Sequence, residues 1–130
     1  MPTFPFLSLK NGIVLLRISL ALVFLTHAIV RITNGSIPQF GQFLTAKGLP
    51  AGTLLVWLIN IFEIVGGLLL ALGRYVRWLS AGFIGLLLVG ILLIHASRGW
   101  FVGEHGTGGS EYSVILIVAF LVVAAAAKRP

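Results

Sequence analysis

The sequence has no cysteine, a single methionine and only three acidic residues among 130. Without cysteine there are no disulfides, thiolate nucleophiles, Cys-ligated iron–sulfur clusters or dithiol redox chemistry. The one methionine is the first residue, so no methionine within a span can ligate a haem. Charge of either sign is scarce: Asp, Glu, Lys and Arg make up 9% of the chain, against about 25% in an ordinary soluble domain. That is too little to wet the surface of a globule, which excludes a cytosolic enzyme, a disordered tail and a coiled coil. What is present is apolar. Hydrophobic residues reach 58% and the mean hydropathy is +1.10, the composition of an integral membrane protein.

The net charge of +6 and the pI near 11.0 would point a soluble protein toward nucleic acid. Here apolar runs separate nearly every pair of charges, so the basic residues read as flanks of membrane spans and no nucleic-acid partner is expected. Four apolar stretches approach the ~20 residues that cross a bilayer, at about residues 12–32, 53–72, 77–96 and 112–127. Lipid offers no partner to backbone polar groups and nothing alternates with period two, so each stretch is expected to be a helix. Arg17 breaks the first run and no small-x-small site follows, so this run reads as a span rather than a cleavable signal. The expected fold is all-α, an integral membrane four-helix bundle in one domain spanning residues 1–130.

Four spans put both termini and the turn Gly73–Arg77 on one side, with Lys10, Arg74, Arg77, Lys128 and Arg129; the other side has Lys47, Arg98 and Arg31. The excess predicts cytoplasmic termini; the expected location is the plasma (inner) membrane of a bacterium or archaeon. In the first outer loop, Ile37, Phe40, Phe43 and Leu44 make one face of a short helix, with Ser36 as N-cap and Gly48 and Pro50 as its stop. This helix is expected to lie in the interface over the bundle mouth. The second outer loop, Gly99 to Ser110, reads as flexible. Small residues such as Gly67 and Ala71, four apart, read as notches for close helix packing.

The ionisable residues inside the spans carry the functional argument. Arg17, Phe24 and Arg31 recur every seven residues and His27 sits four before Arg31. At 100° per residue all four fall within an arc of about 80°, a stripe expected to face the bundle interior. Glu63 lies near the middle of the second span, where a charge costs roughly 2.5–3.5 kcal/mol on insertion scales, so it needs a partner. Arg17, about 8 Å inward of the midplane at 1.5 Å per residue, is the expected one. By the same rise His27 is about 8 Å and His95 about 12 Å outward, with Arg31, Arg98, Glu104, His105 and Glu111 at or beyond that level. Arg17, His27, Arg31, His95 and Glu111 are therefore candidate ligand-binding residues, and His27, Glu63, His95 and Glu111 a candidate catalytic proton relay. No HExxH or paired spacing favours a metal on His27, His95 and Glu111.

A family likeness enters through Leu16-Arg17-Ile18, Phe24-Leu25-Thr26-His27 with Arg31, and Phe40…Phe43-Leu44…Gly48-Leu49-Pro50. It continues in Glu63-Ile64-Val65-Gly66-Gly67 with the apolar run to Gly73, in His95 closing the third span and in Glu111-Tyr112 opening the fourth. In this order, from about Val14 to Ala127, they resemble the DoxX family of small membrane proteins. Thr26-His27-Ala28 stands where His-Gly is more usual, and Arg31 where Lys is. The family is similar to the membrane subunit of thiosulfate:quinone oxidoreductase, so the resemblance implies a four-helix bundle with a quinone-linked, redox-associated role. No flavin, haem or iron–sulfur site is legible in this chain, so electrons would come from a partner protein or directly from a substrate. Two other classes remain open: a small-molecule binding or transport module, and a structural or assembly subunit. The expected surroundings are the lipid bilayer, with a redox partner protein or further copies of the chain.

Overall fold

The computed structural model describes residues 3–103 and 108–127; Glu104, His105 and residues 128–130 lie outside the described residues. Among the described residues there are five α-helices and no strand: α1 Leu9–Thr33, α2 Ile37–Ala46, α3 Gly52–Ala71, α4 Val76–Gly90 and α5 Glu111–Ala126. A π-helical turn, Ile91–His95, and a 3-10 turn, Ala96–Arg98, continue α4. Three segments are long and apolar enough to cross a membrane: Leu9–Thr33 with 25 residues, Gly52–Ala71 with 20 and Val76–Arg98 with 23. These are the first three expected spans, with α1 starting a little earlier. The fourth expected span coincides with α5, whose 16 residues rise about 24 Å.

The chain divides into two compact units, one from Ala21 to Arg74 and the other made of the segments up to Leu20 and from Tyr75 on. In the first, α1 and α2 close in the same way. Gly35 N–H bonds the Ile32 carbonyl and Ser36 N–H the Arg31 carbonyl; Gly48 N–H bonds Thr45 and Leu49 N–H bonds Leu44. Both are Schellman ends, which need a left-handed residue, and Gly35 (φ 62°) and Gly48 (φ 96°) supply it. Gly48 thus stops α2 as its sequence predicts. Ser36 departs from its predicted role: its backbone is right-handed helical, its side chain makes no cap bond, and its hydroxyl donates to the Arg31 carbonyl at 3.5 Å. The Schellman turn already commits the Ser36 N–H to the Arg31 carbonyl just beyond the end of α1, and with it Ser36 lacks the extended backbone an N-cap needs.

Along α2, Ile37, Gly41 and Leu44 are buried, while Phe40 and Phe43 are half-buried at the edge of that face. The helix meets the start of α3 without room for a side chain. A Cβ on Gly41 would stand 2.6 Å from the Thr53 Cα, and one on Gly52 would run into the Gly41 carbonyl oxygen. Thr45 Oγ1 donates to that carbonyl at 3.1 Å and accepts the Gly52 N–H at 3.2 Å, one of the donors a helix start leaves unpaired.

In the other unit α4 and α5 pack through a stacked pair, Phe83 and Phe120, with ring centroids 5.3 Å apart and planes at 12°. The described parts of the loop between Gly99 and Ser110, whose glycines read as flexible in the sequence, are tied together by backbone hydrogen bonds. Gly109, Ser110 and Glu111 N–H groups bond the carbonyls of Phe101, Gly99 and Trp100, each at 2.9 Å. Gly109 permits this: a Cβ there would lie 2.6 Å from the Trp100 carbonyl carbon.

Candidate functional site

The unit from Ala21 to Arg74 holds a polar cluster between two apolar helices. Gly67 of α3 lies against Leu25 and the Ala21 carbonyl of α1, Asn60 against Ala28, and both Asn60 and Glu63 against Arg31. Asn60 and Glu63 meet Ala28 and Arg31 late in α1 while Gly67, further along α3, meets the earlier Ala21 and Leu25, so the two segments run antiparallel. Gly67 serves close packing, as its spacing suggests. Arg31 Nη1 donates to Asn60 Oδ1 at 3.1 Å and to Glu63 Oε1, forming a salt bridge. Asn60 Nδ2 donates to the Ala28 carbonyl at 3.0 Å. Asn60 and Glu63 are each 1% exposed, whereas the Arg31 side chain keeps 24% of its surface open. The Arg31 guanidinium carbon lies 5.4 Å from the centroid of the Phe40 ring, a cation–π contact with α2.

Side-chain direction explains why Arg31 fills the place expected for Arg17. In a helix the Cα–Cβ bonds lean toward the N-terminus. Arg31, near the end of α1, leans back along its helix; Glu63, on the antiparallel α3, leans the opposite way, and the two converge. Depth counted from rise per residue contains no such lean. It placed Arg31 at the outer mouth and left Glu63 to Arg17, which belongs to the first half of α1.

The polar stripe on α1 also divides. Phe24 is buried and Arg31 partly so, with Ala21 and Ala28 completing the inner face, but His27 is exposed. At 100° per residue His27 stands about 60° from Phe24 and 100° from Ala28, on the shoulder of the buried face. Its ring meets Phe24 edge-on at 6.2 Å between centroids.

His95 and Glu111 sit in the other unit and both bond loop backbone. His95 closes the π-helical turn, with Nδ1 2.7 Å from the Gly108 carbonyl oxygen. A carbonyl only accepts, so Nδ1 carries the hydrogen, and in the neutral ring Nε2 is the acceptor. Glu111 Oε1 accepts the Val102 N–H at 2.8 Å. Among the described residues no three His, Cys, Asp or Glu side chains gather as a metal site would require. Glu104 and His105, expected near the outer mouth, lie outside the described residues.

The family model for DoxX matches residues 12–96, about two thirds of the chain. The chain belongs to the DoxX family. No curated protein and no solved structure matches it. The matched segment contains the whole Arg31–Asn60–Glu63 cluster together with His27 and His95, while Glu111 and α5 follow it. Within this DoxX protein the residue that sequence reasoning missed is Asn60. The signal was there: a lone amide in an apolar span, three residues before Glu63 and so on the same helical face.

Proposed function

We propose that this DoxX protein is a quinone-linked, redox-associated membrane subunit that binds the headgroup of an amphipathic ligand at Arg31. One observation carries the reading: a guanidinium in an apolar helix pair, anchored through Nη1 on Asn60 and Glu63, with part of its surface still open. An anchored, partly desolvated donor suits a carbonyl that gains negative charge on reduction, because it is oriented before the charge develops. Phe40 adds an aromatic face beside it. When bound, a quinone supplies the two-electron, two-proton acceptor. The chain supplies the hydrogen bond from Arg31 and proton exchange through Glu63 and His27 of the same unit, and His95 and Glu111 are proton-exchange groups of the other unit. Electrons come from a partner protein or a substrate.

The proposed setting is a four-helix bundle in the inner membrane with α5 as its fourth span, α2 in the outer interface and both termini in the cytoplasm. The cysteine-free chain makes this directly measurable. A membrane-impermeant thiol reagent on intact cells should label Lys47→Cys and spare Arg74→Cys; the reverse pattern inverts the orientation.

A second reading, a structural or assembly subunit, draws support from His95 and Glu111, each of which bonds loop backbone. Binding of a quinone analogue to the protein in nanodiscs separates the two. Wild type should bind and Arg31→Gln should lose roughly tenfold or more in affinity, the cost of one charged hydrogen bond. Equal affinity with the fold intact favours the structural subunit.

A further inference from the structure

Resting on the reading of Arg31 as a ligand cation, we infer that its open edge also receives a two-oxygen acid headgroup, a carboxylate or phosphodiester on a membrane amphiphile, which competes there with the quinone. Nη1 has two hydrogens, and Asn60 Oδ1 and Glu63 Oε1 take both. The Nε and Nη2 hydrogens on the other side of the guanidinium form a parallel pair, spaced for the two oxygens of one carboxylate or phosphate. Among the described residues, neither of these nitrogens bonds a protein acceptor, and neither is cut off from the surface.

The cluster holds that edge in place. Asn60 and Glu63, each 1% exposed, fix Nη1 from α3, and Phe40 meets the guanidinium in a cation–π contact that uses none of its donors. A receptor oriented beforehand loses little freedom when its ligand arrives. Because Glu63 already balances Arg31, long-range charge adds little attraction, and geometry separates the ligands. An acid takes two parallel charge-assisted bonds, whereas an ester or ketone oxygen lacks both the second oxygen and the charge. Arg31 also stands two residues before Thr33, the end of α1, where the head of an amphiphile meets water while its chain lies along apolar helix. With 24% of the Arg31 side chain open, the added negative charge stays partly hydrated, as it would not at mid-span.

The test uses the full chain in maltoside micelles, which carry no acid headgroup, with myristate at a pH where it is ionised, methyl myristate and decylubiquinone as probes. Wild type should bind myristate at least about tenfold more tightly than its methyl ester, and myristate should displace the quinone. Arg31→Lys keeps the charge but not the planar edge, so it should lose roughly tenfold or more for myristate and less for the quinone, whose carbonyl needs one donor. Lys47→Gln removes a cation of the same unit that lies over Phe43, and should change neither affinity. Dioctanoyl phosphatidylglycerol separates the two sources: if it displaces myristate, a phospholipid is an occupant, and if it does not, the site takes fatty carboxylates. Parity of myristate and its ester, a myristate affinity that folded Arg31→Lys retains, an equal loss in Lys47→Gln, or simultaneous binding of myristate and quinone overturns the inference. Quinone binding that Arg31→Gln abolishes would then leave the proposed function standing. Myristate binding that Arg31→Lys abolishes, with no quinone binding at all, would instead keep the acid site and remove the quinone. Should Arg31→Lys fail to fold, the wild-type comparison of myristate with its ester decides.

Discussion

Asn60 donates through Nδ2 to the Ala28 carbonyl at 3.0 Å and accepts through Oδ1 from Arg31 Nη1 at 3.1 Å. The two partners fix the amide: its NH2 must face the carbonyl and its oxygen the guanidinium. One side chain therefore ties α3 to the backbone of α1 and sets the position of the cation. Replacing it with leucine, of similar size, removes both bonds without opening a cavity. Interhelical hydrogen bonds in membranes are worth about 0.6 kcal/mol on average and up to about 1.7. Asn60→Leu should accordingly lose about 1–2 kcal/mol in thermal unfolding in detergent. An unchanged transition would show that the amide adds nothing to the contact.

Glu63 and Arg31 should be strongly coupled. Taking away one member of a buried pair leaves an uncompensated charge and costs roughly 3–5 kcal/mol, while replacing both with apolar residues is often close to neutral. Glu63→Leu should be the worse single variant, because Arg31 cannot shed its proton. The double variant Arg31→Leu with Glu63→Leu should unfold well above it. Strictly additive losses would mean that the contact is energetically idle, since sites that do not interact add.

How much of this was legible in the sequence follows from which physical signal each part rests on. Hydropathy and length carry the first three spans, because the bilayer imposes both on any crossing helix. Glycine and loop chemistry carry the end of α2 at Gly48. The need of Glu63 for a basic partner was also legible, since the cost of a charge in lipid does not depend on fold. The identity of that partner was not. Rise per residue gives height, and Arg17 and Arg31 differ in a property that height omits, the lean of a side chain toward its helix N-terminus. The arc of about 80° that put His27 with Phe24 was wider than the buried face, since an offset of about 60° carries His27 off it. The ties between Gly99 and Glu111 were hidden because backbone pairing within a loop leaves no periodicity in sequence.

The corner between α2 and α3 should discriminate sharply between glycines. A Cβ at Gly41 would lie 2.6 Å from Thr53 Cα and 2.7 Å from its backbone nitrogen, atoms that cannot move aside as a side chain would. Overpacking of this kind typically costs 1–3 kcal/mol. At Gly85 of α4 nothing lies within 4 Å of the added carbon, and alanine gains up to about 1 kcal/mol in a helix interior. Gly41→Ala should therefore lower the unfolding temperature, and Gly85→Ala should leave it unchanged or raise it. Equal effects would dismiss the close crossing at Gly41.

Glu111 is placed to separate a structural duty from a chemical one. Its Oε1 accepts the Val102 N–H at 2.8 Å, and its position in the first turn of α5 suits a negative charge through the helix dipole. Glu111→Ala leaves Val102 N–H without that acceptor and should cost about 1–2 kcal/mol, with faster hydrogen exchange at the Val102 amide. Glu111→Gln retains a carbonyl oxygen for the same bond while abolishing ionisation. It should keep the Val102 amide protected and lose only a few tenths of a kcal/mol with the dipole contact. Exchange at Val102 that is indifferent to Glu111→Ala would refute the bond. Where Gln preserves both stability and the protection of the Val102 amide, the loop depends on an acceptor oxygen at position 111 and not on its ionisation.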